Sequence, residues 1–190
     1  MNGCIKLDGI WDDGYAVDYH TISSEYLGED PFGNKRFDTT YTRVGELLHK
    51  MKYNGREDTS LKILDLCIPF LNSWLEDIHI DCILPMPPSE KRSVQPVFLI
   101  AKAIANHYNI PYTNDVLYKN SKAPSKNLAK DGKDLTNTIE VLKPAVRHCN
   151  LLLIDDLFST GATATACTRQ LKEDPLVDKV YIFVISKTRT

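Results

Sequence analysis

Leu151-Leu152-Leu153-Ile154-Asp155-Asp156-Leu157-Phe158-Ser159-Thr160-Gly161-Ala162-Thr163 is the stretch that decides the fold. Four consecutive aliphatic residues cannot alternate between core and solvent, so residues 151–154 read as a strand covered on both faces, as in a parallel sheet flanked by helices. Ligand sites of such sheets lie beyond the carboxyl ends of the strands. Asp155 and Asp156 stand there. A carboxylate accepts hydrogen bonds from hydroxyls, and two adjacent like charges need a polyhydroxyl ligand, a metal ion or both to offset them. Leu157 and Phe158 anchor the turn that follows.

From Ser159 the side chains shrink, which brings backbone N–H groups to the surface at the start of a helix and makes a cradle for a phosphate monoester. Ser159, Thr160 and Thr163 can add hydroxyl donors, and Gly161 and Ala162 let a phosphate approach the backbone. The combination suits a ribose and its phosphate held side by side. The competing reading is a strand whose aspartates cap an ordinary helix. The lysine of a Walker A loop and the three spaced glycines of a dinucleotide fingerprint are both missing, which disfavours nucleotide hydrolysis and dinucleotide binding.

Outward from this stretch, strand and helix patterns alternate. Ile80–Leu84 and Val180–Ile185 read as further buried strands, Val116–Tyr118 as a strand and Ile139–Leu142 as a short edge strand. Helices are expected over 41–52, over 58–74 with a bend or break at Pro69, and from Ser93 to about His107. The apolar alternation on both sides of Asp12-Asp13-Gly14 reads as a hairpin, and residues 25–40 as a polar loop. The expected organisation is one domain over residues 1–190. Residues 1–40 form a hood or edge and 41–190 the core, with a long lysine-bearing loop at 119–137 that is either a covering loop or a plain solvated one.

The stretch 151–163 resembles the ribose-phosphate signature of type I phosphoribosyltransferases: a hydrophobic strand, two acidic residues, two mostly apolar residues and a Thr-Gly-x-Thr turn. Within that superfamily the chain is most similar to the ComF-like, competence-associated branch. The similar segments are Leu48-His49-Lys50-Met51-Lys52-Tyr53-Asn54-Gly55 and Pro85-Met86-Pro87-Pro88, followed by Lys91-Arg92-Ser93-Val94-Gln95. Lys91-Arg92-Ser93-Val94-Gln95 replaces the Arg-Gly-Phe-Asn-Gln usual there, and the four-cysteine zinc module that opens many such proteins is missing.

The resemblance implies an α/β, type I phosphoribosyltransferase-like fold with a mainly parallel sheet flanked by helices and a small N-terminal hairpin or hood. It implies transfer of phosphoribosyl from 5-phosphoribosyl pyrophosphate (PRPP) to a nucleobase-like acceptor, with pyrophosphate released and Mg²⁺ as cofactor. Residues 155–163 would take the ribose 5-phosphate. Pro88, Ser89, Glu90, Lys91 and Arg92 would take the pyrophosphate, with Lys91 and Arg92 beside Asp155 and Asp156 as catalytic residues. Lys122 and Lys126 would belong to the covering loop, and Asp155 and Asp156 would touch the metal weakly or indirectly. The alternative is a non-catalytic nucleotide-binding or DNA-uptake accessory protein.

A formal charge of −2 gives no bulk attraction to nucleic acid or an anionic membrane, so contact with nucleic acid or competence machinery would need a local patch. The five cysteines, at 4, 67, 82, 149 and 167, form no CxxC pair, which argues against zinc and a disulfide scaffold. Neither a signal peptide nor a membrane span is read in the sequence, and a reducing cytoplasm is expected. The five histidines show no ligand spacing; His49 is the one singled out for test. The acceptor base stays open, as does a homodimer, the commonest symmetric assembly.

Overall fold

The protein is described here from a computed structural model, which covers residues 3–54, 58–88, 95–120 and 138–189. Its centre is a five-stranded sheet built from β1 (Ile5–Lys6), β2 (Asp13–Tyr19), β5 (Cys82–Pro85), β8 (Cys149–Phe158) and β9 (Val177–Lys187), in the order β1-β2-β9-β8-β5. The β2–β9, β9–β8 and β8–β5 pairs are parallel, and only the short edge strand β1 runs antiparallel. Leu151–Ile154 and Val180–Ile185 are buried along their whole length, the pattern of strands covered on both faces.

One face carries α1 (Arg43–Asn54), α2 (Thr59–Glu76) and α3 (Pro96–Tyr108). Leu48, Ile63, Leu71, Ile100 and Ile104 from these helices pack there on Leu152, Ile154, Tyr181, Phe183 and Ile185. The other face carries α4 (Ala162–Leu171) and the strand pair β6 (Leu117–Lys119) and β7 (Ile139–Val141), with Ala164, Cys167, Leu171, Leu117 and Ile139 packed on Leu151, Leu153, Ile182 and Val184. The mostly parallel, doubly covered sheet expected from residues 151–154 is the observed architecture.

Four local expectations change. Residues 25–40 are not a loop: β3 (Thr21–Glu29) and β4 (Lys35–Tyr41) form an antiparallel hairpin. Its strands have no buried face, so they carry no apolar period to read. The turn is held by Asp30, whose Oδ1 accepts the amides of Phe32 and Asn34 at 2.8 and 2.9 Å, with Gly33 at φ 80°. Asp13 and Gly14 lie inside β2, which does pair with β1 but whose longer partner is β9. Pro69 lies within the continuous helix α2 on its exposed side, as does Asp65, whose carbonyl loses its usual helical donor there. β7 pairs with β6 in a separate two-stranded sheet rather than forming an edge of the central one.

Candidate functional site

The parallel ladder ends unevenly. β5 stops at Pro85, opposite Ile154, and the Met86 amide donates to the Ile154 carbonyl at 2.8 Å. β8 continues beside β9 alone, with Asp155 opposite Val184, Leu157 opposite Ser186 and Phe158 opposite Lys187. Residues 155–158 therefore project past β5 as a half-buried rim, and the Pro85-Met86-Pro87-Pro88 segment arrives beside this step. Both aspartates lie on that rim, three and two residues before the strand's last residue.

The two carboxyls have different surroundings. Asp156 forms an ion pair with Lys52 of α1 at 2.6 Å, the two side chains being 19 and 18 % exposed. Asp155 turns back on the chain, and its Oδ1 accepts the Asp156 amide at 2.8 Å. Burial first, and the charge of Asp156 second, push the Asp155 carboxyl far above its ordinary range, to about 8, despite the opposing pull of its hydrogen bond and of Lys52. The pair therefore resists carrying two full negative charges, while Asp156 is engaged with a cation. Such adjacent but unlike carboxyls are a mark of functional sites.

After Phe158 the chain turns through exposed Ser159 and Thr160 to Gly161, at φ 76°, where α4 begins. Only glycine suits this position: a Cβ would also lie 2.7 Å from Cζ of Phe158. The N-cap residue Gly161 offers no side-chain cap, the Ala162 amide donates weakly to the Thr160 hydroxyl, and the first intrahelical bond from this end runs from the Thr165 amide to the Gly161 carbonyl at 2.8 Å. The amides of the first turn, with the Thr160 hydroxyl 3.4 Å from the Ala162 amide and Thr163 half-buried beside them, are the groups an anion would meet.

No known family profile matches the chain. A 65-residue stretch is 36 % identical to the transcriptional regulator GfcR of Methanocaldococcus jannaschii, spanning 34 % of this chain and 30 % of that protein. The chain thus matches less than a third of that curated relative's length. Among solved structures it is similar to an adenine phosphoribosyltransferase of Thermoanaerobacter pseudethanolicus, with 18 % identity, a TM-score of 0.45 and coverage of 86 % of this chain and 94 % of that one. An adenine phosphoribosyltransferase of Saccharomyces cerevisiae gives 14 %, 0.46, 87 % and 84 %.

Asp155, Asp156 and residues 157–163 are thus one contiguous rim, and Pro88 is the last described residue of the segment that approaches it. Ser89, Glu90, Lys91, Arg92, Lys122 and Lys126 lie outside the described residues. Sequence reasoning assigned no definite role to the cations here. Lys52 comes from α1, and Lys119 stands at the end of β6, where burial holds its ammonium below the ordinary range. Lys187, at the end of β9, lies 5.9 Å from the Phe158 ring centre. None shares a motif with the aspartates; only the register of β8 with β9 and the packing of α1 bring them together.

A metal ion would find limited room. Among the described residues no group of three or more His, Cys, Asp or Glu side chains could hold one. Asp155 Oδ1 accepts the Asp156 amide, Asp156 Oδ2 meets Lys52, and the two carboxyls also contact each other, so neither is a ready strong ligand. That donor set fits a Mg²⁺ held chiefly by ligand oxygens and water, with Asp155 and Asp156 as minor contributors. No helix among the described residues is long and apolar enough to cross a membrane.

Proposed function

We propose that the chain transfers phosphoribosyl from PRPP to a nucleobase-like acceptor, with Mg²⁺ as cofactor and release of pyrophosphate, in a cytoplasmic setting. The observation that carries this reading is the pair of unlike carboxyls immediately before the start of α4. The ComF-like segments at 48–55 and 85–95 support it.

The first-turn amides of α4, with Ser159, Thr160 and Thr163, hold the 5′ phosphate. Asp155, protonated, donates to one ribose hydroxyl oxygen while Asp156 accepts from the other hydroxyl. The arrangement fixes the sugar without placing two full negative charges side by side. As the bond from C1′ to the pyrophosphate oxygen breaks, the electron pair leaves with pyrophosphate, and the acceptor nitrogen bonds C1′ and gives up its proton to the departing pyrophosphate. Asp156 then faces the positive charge that grows on the ribosyl ring. Lys91 and Arg92, with Pro88, Ser89 and Glu90, take the pyrophosphate, and Lys122 and Lys126 belong to the segment that excludes water. Mg²⁺, when bound, would supply charge neutralisation for the departing pyrophosphate, with Asp155 and Asp156 as its minor protein contacts.

The test is pyrophosphate release from PRPP with Mg²⁺ across a panel of purine and pyrimidine bases. Release should occur with at least one base and collapse when Asp155→Asn and Asp156→Asn are combined. Full turnover in the double variant rejects the mechanism. Ribose 5-phosphate binding without turnover on any base would make the chain a nucleotide-binding accessory protein instead.

A further inference from the structure

His20 was one of five scattered histidines in the sequence, yet it sits directly behind the rim. It follows the last residue of β2, and its main chain is fixed from two sides. Its amide donates to the Lys187 carbonyl at 2.7 Å, and its carbonyl accepts from the Thr42 amide at 3.3 Å, while the Thr42 hydroxyl donates to the neighbouring Tyr19 carbonyl at 2.6 Å. Helix α1 presses so closely that a Cβ on Gly45 would lie 2.0 Å from the His20 oxygen. A backbone held this firmly sets where the imidazole can reach.

The ring nitrogen Nδ1 is 3.1 Å from the Ser186 hydroxyl, which is 3.0 Å from the main-chain carbonyl of Asp156. Ser186 is fully buried. A carbonyl oxygen can only accept, and a serine hydroxyl has one proton, so Ser186 donates to Asp156 and must accept from histidine. The imidazole therefore carries a proton on Nδ1. Charged and titratable groups surround it: Lys52 and His49 from α1, Asp156 from β8, Lys187 from β9, and Tyr41 from β4, whose ring is 5.5 Å from its own. Burial first, then Lys52, hold the imidazole below its ordinary range despite Asp156, which keeps it neutral at neutral pH.

We propose that His20 is a positioning residue: in its Nδ1–H form it fixes Ser186, and through Ser186 the main chain that carries the Asp156 carboxylate. This rests on the reading of Asp156 as a ribose-binding group. The relay ties β2, β9 and β8 together where the ladder ends, and so where the central sheet restrains the rim least. Its loss would shift the carboxylate without removing it, and misplacement by about 1 Å costs up to about a hundredfold in rate.

The experiment compares the full-length wild type with His20→Asn, His20→Gln and Ser186→Ala. Asparagine places an N–H near the position of Nδ1, whereas glutamine reaches toward Nε2. The ¹⁵N imidazole spectrum of the wild type at neutral pH should show His20 with a protonated Nδ1 and a bare Nε2, and Ser186→Ala should lose that fixed tautomer. Ribose 5-phosphate affinity by calorimetry and kcat for pyrophosphate release should fall about tenfold in His20→Gln and Ser186→Ala. His20→Asn should retain both within about threefold. A His20 with a bare Nδ1, or equal losses in the asparagine and glutamine variants, would overturn the relay. A wild type that releases no pyrophosphate with any base fails the proposed reaction alone, because the spectrum and the sugar-phosphate affinities still decide the relay.

Discussion

The two sides of the β8 rim, one residue apart, are built on opposite principles. On the α1 side Asp156 meets Lys52 in an ion pair, backed by Ser186 and His20. On the α4 side Asp155 is half-buried, turned onto the next amide and held above its ordinary range. Identical side chains thus differ, one paired with a cation and the other pushed toward its neutral form, because of what packs around them. The contrast lets a single dipeptide both donate to and accept from a sugar.

The largest expected effect separates the two sides in catalysis. Asp156→Asn should lower kcat for pyrophosphate release by about 10³, the scale of losing an electrostatic contact made in the transition state, and Asp155→Asn by about 10² or less. Equal losses would mean that the two carboxyls share one role. Next comes stability on the α1 side. Lys52→Met leaves Asp156 poorly exposed and without its cation, and should cost about 2–3 kcal/mol in a urea titration at pH 7. A loss near zero would show that water already serves Asp156.

A smaller effect tests the turn that starts α4. Gly161→Ala meets both the positive φ and the Phe158 ring, and should destabilise by about 1–2 kcal/mol while weakening ribose 5-phosphate binding. Unchanged affinity would detach the turn from the phosphate.

The smallest effect has the opposite sign. The folded-state pKa of Asp155 is raised, so between the unfolded value near 4 and about 8 the native protein holds a proton that the unfolded chain has lost. Stability from this group is fully present at low pH and is lost as pH rises through that window. Asp155→Asn should therefore stabilise the protein by about 1 kcal/mol at pH 8–9, and the gain should vanish near pH 4. A variant that loses activity while gaining thermal stability would mark Asp155 as held for function. A loss of stability at pH 8 would contradict the asymmetry of the rim.

How legible each part was follows from what generates a local signal. Leu151–Ile154 and Val180–Ile185 announce buried strands because every residue is apolar, and Gly161 announces the turn because little else tolerates its φ. The β3–β4 hairpin gave no such signal, since neither of its faces is buried and its turn depends on Asp30 bonding to residues two and four further on. Pro69 misled because the penalty of an interior proline depends on whether the orphaned carbonyl can reach water, and on α2 both Pro69 and Asp65 lie on the exposed side.

By itself the sequence determined a parallel sheet covered on both faces, the placing of Asp155 and Asp156 at the carboxyl end of β8, and a small-residue turn opening α4. These follow from side-chain size, polarity and backbone freedom over a dozen neighbouring residues. Only the tertiary structure decided that Asp156 would face Lys52 from 104 positions away, that the Asp155 carboxyl would be pushed above its ordinary range, and that His20 would reach Asp156 through Ser186. Those outcomes depend on burial and on distances between strands and helices remote in the chain, and neither has a counterpart in any local run of residues.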